Sequence, residues 1–228
     1  MTVWSPDRLD SDLLNYIIAK GFRPGDRLPS LDDLSVELKI STGKLREQLE
    51  VARALGLVEV RPHRGIRIAD YNFLAAIRVS LLYVLASNPG EFQAFGQLRN
   101  EVEAAFWYQA VALLTPDDYA ELRGLIASAW AKLNGRPIQI PHAEHRKLHL
   151  TIYKHLDNLF VKGVLEAYWE AYEAVGLSMY SDLQYLREVW TYHESIVNAI
   201  VAGDTAEGHR LLLIHTTLLR HRELAVIS

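Results

Sequence analysis

Between Leu28 and Ala69 the spacing of apolar residues changes from a helical period to a strand period, and few folds accommodate that change in so short a span. Ser30 reads as the N-cap of a short helix ending at Leu38, with Asp33 three residues on as an imperfect capping box. Ile40 is expected to be a buried turn residue. Ser41 caps a second helix over 42–55, whose inner face is Leu45, Leu49, Ala52 and Leu55 and whose end is Gly56. The stretches LVEVR (57–61) and GIRIA (65–69) then alternate with period two, joined by Pro62-His63-Arg64. An earlier helix over 7–20 presents Leu9, Leu13, Ile17 and Ile18. It is stopped by Gly21 and followed by a Pro24-Gly25 turn. Three helices and a hairpin in this order predict a winged helix-turn-helix domain over 1–70.

Asp70-Tyr71-Asn72 is a linker candidate. The rest of the chain, 71–228, carries only helical periodicity. It is interrupted at Asn88-Pro89-Gly90, Thr115-Pro116, Asn134-Gly135-Arg136-Pro137, Asn158 and Gly203-Asp204. Thr115 with Asp118, and Pro116 at the first helical position, mark one helix start. Six or seven helices in an antiparallel bundle are expected, so the fold class is mainly α.

Composition excludes several alternatives. With no cysteine among 228 residues there is no disulfide scaffold, cysteine zinc finger or cysteine nucleophile. No apolar run is long enough to span a bilayer and no signal-peptide core opens the chain, so a cytoplasmic protein without membrane association is expected. The charge of −4 lies entirely in 71–228, because 1–70 hold 11 basic and 11 acidic residues. Affinity for a polyanion would therefore rest on local clusters.

Such a cluster exists. With the apolar face of helix 42–55 turned inward, its first turns expose Thr42, Gly43, Lys44, Arg46 and Glu47. In a helix-turn-helix these positions meet DNA. Arg46 suits a guanine edge or a phosphate, and the Ser41 and Thr42 hydroxyls suit phosphate oxygens. Gly43 permits close backbone approach. Arg61, His63, Arg64 and Arg67 give the hairpin four potentially cationic groups, with Gly65 allowing its tight turn.

Eight of the nine histidines fall between positions 142 and 221. His145 and His149 share one helix face, and His193 and His215 lie on consecutive helices separated by Gly203-Asp204. In a bundle the four could converge on a borderline divalent metal such as Zn²⁺ or Ni²⁺. Ordinary buried histidines are the alternative.

The motifs LPS (28–30), L-R-x-x-L (45–49), G-L-V (56–58) and H-R-G (63–65) resemble the GntR family of bacterial transcription regulators. The bundle resembles the effector domain, called FCD, of that family's FadR-like branch. Its marks are Leu98 to Glu103, H-R-x-L-H over 145–149 with Asn158, Y-H-E-x-I-x-x-A-I-x-x-G-D over 192–204, and His215. The resemblance implies a homodimer that binds a palindromic double-stranded operator, usually as a repressor, under control of a small carboxylic acid. It carries the metal role to His149, His193 and His215. It places His145 where the family has Asp, and turns Arg99 toward the effector; a structural salt bridge with Glu103 at i+4 is the alternative for that arginine. Asn158 would orient the ligand or cap a helix. Asp32 and Thr42 stand where the family commonly has arginines, which implies an unusual operator. Two other readings remain open: a metal-dependent bundle enzyme, and a regulator whose bundle only dimerises.

Overall fold

The computed structural model describes residues 9–61, 65–175 and 182–226, with side chains as far as Thr216. The chain divides into two units, 1–77 and 78–228.

In the first unit α1 (Asp12–Lys20), α2 (Leu31–Leu38) and α3 (Thr42–Ala54) precede the strands β1 (Val58–Arg61) and β2 (Gly65–Ile68). Helix α1 begins later than its apolar spacing predicts, because Ser11 is the N-cap and its hydroxyl accepts from Leu14 N. Ser30 and Ser41 cap α2 and α3 as expected, and Lys39, at φ 56°, makes the turn between them. Leu13, Leu34, Leu45, Leu49, Ala52, Val58 and Ile66 close one core, against which Ile40 is partly buried. Gln48 ties α3 to the start of α1, accepting from Leu13 N and donating to Asp12, both at 2.9 Å.

The hairpin pairs Val58 with Ile68 and Arg61 with Gly65. It has a third edge that periodicity does not reveal. Residues 25–28 run beside β2, with Leu28 N donating to Ile66 O and Ile68 N to Asp26 O, each at 2.9 Å. Arg27 thereby sits opposite Arg67.

Helix α4 (Phe73–Ser87) crosses the division between the units, and α5 (Glu91–Val111) to α10 follow in the second. Helix α5 is central there, packing on α7, α8 and α10. Its buried face of Phe92, Gly96, Arg99, Glu103, Trp107 and Ala110 follows a three- and four-residue spacing, but two members are charged. The helices α6 (Pro116–Leu133), α7 (His142–Tyr153), α8 (Leu159–Ala174), α9 (Leu183–Ala202) and α10 (Thr205–Val226) complete the unit. Thr115 and Asp118 form the expected capping box at α6. Helix α10 approaches α5 closely at Gly208, where a Cβ would lie 2.7 Å from the Trp107 ring. Among the described residues no helix is long and apolar enough to cross a membrane.

Candidate metal and effector site

Three helices bring the four histidines together. Helix α7 presents His145 and His149, α9 presents His193 and α10 presents His215. All four are buried, and one nitrogen from each lies within 4.8 Å of the others. His149 Nε2 is 3.2 Å from His193 Nε2, which is 3.1 Å from His215 Nε2. Two imidazole nitrogens bound about 2.0–2.1 Å from one ion at a tetrahedral angle lie about 3.3–3.4 Å apart. The observed separations are close to that edge length.

Protonation favours the same use. Burial holds all four imidazoles well below their usual range. The charge on Arg99 adds to the effect for all four, and neighbouring imidazoles add to it for His145, His193 and His215. The neutral form is the one that ligates. Glu103 Oε1 lies 3.1 Å from His149 Nδ1, and the ion-paired Arg99 Nη2 is 3.0 Å from the same oxygen. Arg99 Nη2 lies 2.8 Å from the same Nδ1; in the tautomer with its hydrogen on Nδ1, His149 donates to Glu103 and leaves the Nε2 lone pair facing the other histidines. A carboxylate behind a ligating histidine orients the ring in this way. Burial pushes the Glu103 carboxyl up, with the charges on Arg99 and His215 opposing it.

The cluster is also where the interior is least satisfied. Among the described residues, seven buried side-chain polar atoms have no partner. One is Asn15 Oδ1. The other six are Arg99 Nε, Glu103 Oε2, His145 Nε2, Trp169 Nε1, His193 Nδ1 and His215 Nδ1. An unpaired buried polar group costs about 1–3 kcal/mol, so their concentration around the histidines makes this the candidate ligand site. Aromatic rings wall it. Trp169 lies 4.7 Å and Trp190 6.1 Å from the His145 ring, and the Arg99 guanidinium lies 4.6 Å from the Tyr168 ring. A cavity of about 10 Å³ beside His145 is lined in part by Tyr172, Leu186, Val189 and Trp190. That is space for about one water.

The carboxylates next to the ligands in sequence have other partners. Glu144 accepts from Ser128 and pairs with Lys132, and Glu194 accepts from Trp130 Nε1. No general base faces the histidines from either position.

In the first unit, Arg46 and Gly43 are exposed at the start of α3 and Thr42 is half-buried. The Ser41 hydroxyl accepts from Lys44 N in its capping role. Lys44 Nζ is paired with Asp12 at 2.7 Å and Arg61 with Glu59 at 2.7 Å. Gly65, at φ 73°, carries the wing turn, and the Arg27 side chain lies 3.1 Å from where its Cβ would be. His63 and Arg64 lie outside the described residues.

Residues 7–68 match the family model "Bacterial regulatory proteins, gntR family", and residues 95–218 match the FCD domain. The chain belongs to the GntR family, in the branch that carries an FCD domain. Proteins of this family are transcription regulators rather than enzymes. The chain is 25% identical to the galactonate operon transcriptional repressor of Escherichia coli, over 98% of this chain and all of that one. It is 23% identical to the HTH-type transcriptional regulator LutR of Bacillus subtilis, over 86% and 90%. Its fold is similar to that of a Streptococcus agalactiae GntR protein. The TM-score is 0.62 at 18% identity, covering 92% of this chain and 96% of that one.

Within this GntR-family chain the four histidines meet as their spacing suggests, with His145 beside the other three. Arg99 is buried and forms the i,i+4 ion pair with Glu103 that its spacing offers. Asn158 stands apart from this group. It is the N-cap of α8, and its side-chain oxygen accepts from Phe160 N and Val161 N. The sequence reading missed Arg27, the Glu103–His149 contact and the unpaired Trp169 N–H.

Proposed function

We propose that this GntR-family regulator is a repressor whose operator affinity is set by a small carboxylate bound at a divalent metal in the FCD domain. The buried four-histidine cluster, with its unsatisfied neighbours, carries the reading. His145, His149, His193 and His215 would hold the ion, with Glu103 orienting His149. Four neutral imidazoles favour a borderline metal, zinc or nickel, over Mg²⁺ or Ca²⁺. The ion supplies uncompensated positive charge in a low-dielectric interior, which attracts an anion. The similarity to a galactonate operon repressor supports both repression and an acid as effector.

Arg46, the Ser41 and Thr42 hydroxyls, Gly43 and the wing around Gly65 would meet operator DNA, with Lys44 and Arg61 released from Asp12 and Glu59 to reach phosphates. The protein would act as a cytoplasmic homodimer on a palindromic site, so its two recognition helices must fit half-sites about one helical turn apart. Val79, Tyr83 and Val84 of the second unit, left exposed on α4, are apolar surface that a second copy would cover. An effector that favours one bundle arrangement changes that spacing, and the coupling acts in both directions.

The test is operator binding by zinc-loaded and chelated protein across a panel of small carboxylates, with thermal shift read in parallel. An acid that stabilises only the loaded protein and weakens DNA binding supports the reading. A panel without effect on either form leaves the bundle as a dimerisation module.

A further inference from the structure

We infer that Arg27 and Arg67 form a phosphate clamp on the outer face of the wing, which holds the backbone of duplex DNA irrespective of base sequence. The inference rests on the reading that the wing meets operator DNA, and it extends that contact beyond the wing turn. Register places the two side chains. Arg27 bridges to Arg67, Arg67 pairs with Glu59, and Gly65 pairs with Arg61. Residues opposite each other on antiparallel strands project to the same face. Arg27, Arg67, Glu59 and Arg61 therefore share one side of the sheet, and all four are exposed. Leu28, Val58 and Ile66 turn the other side into the core.

Two guanidiniums directly opposite each other repel, and here they splay apart. The Arg27 side chain runs to Gly65, with Nε 3.1 Å and Nη2 3.3 Å from where a Cβ would be. Arg67 runs the other way, and its Nη1 donates to Gly25 O at 2.7 Å. Each arginine thus reaches a glycine of the opposite strand, at φ 73° for Gly65 and 88° for Gly25. Glu59, the one acid of the four, is held by Arg61 at 2.7 Å. Among the described residues no carboxylate pairs with Arg27 or Arg67. A like-charged pair left without a carboxylate is a cost in the free protein that phosphates remove. A polyanion fits better than a free anion. Exposed guanidiniums are screened by salt, whereas each phosphate they neutralise on DNA releases a condensed counterion. Arg27 also reaches Gly65, whose backbone stands at the proposed DNA contact.

The experiment titrates full-length protein into two fluorescein-labelled duplexes of unrelated mixed sequence, read by anisotropy from about 50 to 200 mM NaCl. Arg27→Gln keeps a polar side chain over Gly65 and removes the charge. It is expected to make the slope of log K against log salt shallower by about 0.9, one phosphate, and Arg27→Gln with Arg67→Gln by about 1.8. The change is expected to be equal on both duplexes, and Arg27→Lys is expected to restore the wild-type slope. A purely structural role would lower the Tm of Arg27→Gln and Arg27→Lys alike and leave the slope unchanged. Phenylglyoxal modification of wild type, read by mass spectrometry, needs no variant. Duplex is expected to protect Arg27 and Arg67 but not Arg136, exposed on the second unit. A slope in Arg27→Gln within about 0.3 of wild type, a change confined to one duplex, or arginines modified as fast in the complex as alone overturns the clamp. Wild type that binds neither duplex at the lowest salt overturns the DNA-binding reading of the wing and the clamp with it.

Discussion

Lowering the pH from 7.5 to 5.5 should strip the metal-free protein of much of its stability, and the histidine cluster sets the amount. Burial holds the four imidazoles well below the ordinary histidine range in the folded state. In the unfolded chain they titrate near pH 6.5. A base whose folded pKa is depressed contributes stability above its unfolded pKa and loses it as pH falls, because the unfolded chain takes up the protons. A histidine that stays neutral in the fold loses about 1.4 kcal/mol between pH 7.5 and 5.5, so four lose about 5.5 kcal/mol together. That compares with a total of about 5–15 kcal/mol for a typical domain. Glu103, pushed up by burial, works in the opposite direction if it takes up its proton in this window, which makes about 5.5 kcal/mol an upper bound. Asp118 is held below its ordinary range, and its contribution is lost only below about pH 4, outside the window. Urea unfolding of chelator-treated protein at the two pH values measures the difference. His193→Gln should shrink it by about a quarter. A loss below about 1.4 kcal/mol, the share of one histidine, would refute the premise that four neutral imidazoles are buried together.

Asp118→Ala should destabilise the second unit by about 2–4 kcal/mol, since a capping acceptor and charge-assisted bonds vanish together. Asp118 accepts from Thr115 N at 2.7 Å and from His155 at 2.8 Å, and it pairs with Lys154. Burial alone would push its carboxyl up, but the bonds from Lys154, Thr115 and His155 outweigh it. The urea midpoint of the variant at pH 7 checks this. Gly208→Ala places a methyl 2.7 Å from Trp107 and should cost about 1–3 kcal/mol through overpacking, seen as a lowered Tm. Arg46→Ala should weaken operator binding by about 1–3 kcal/mol and relax preference at one base pair, whereas Lys44→Ala should lower affinity evenly across sequences and flatten the salt dependence. Anisotropy titrations over a salt series separate the two.

The fold was legible where the local code is strong. The serines at 30 and 41, the Thr115–Asp118 box and the alternation after Gly56 each specify an element with nearby residues alone. The third edge of the wing was not, because residues 25–28 pair with β2 through backbone bonds that leave no side-chain pattern. The histidine cluster was legible as spacing, since i,i+4 and a turn between two helices constrain which faces meet. What surrounds it was not. Whether Arg99 pairs with Glu103 or turns to a ligand depends on the register of α5 against α7, and an unpaired Trp169 N–H has no sequence signature. Asn158 fitted both capping and ligand binding by residue type, and at the start of α8 it caps.

The most direct measurement is the metal content of untagged protein purified without chelator, by plasma mass spectrometry, for wild type and His149→Ala. The account predicts about one equivalent of zinc or nickel per chain in wild type and none in the variant. Wild type without metal that also takes up none on reconstitution would contradict it.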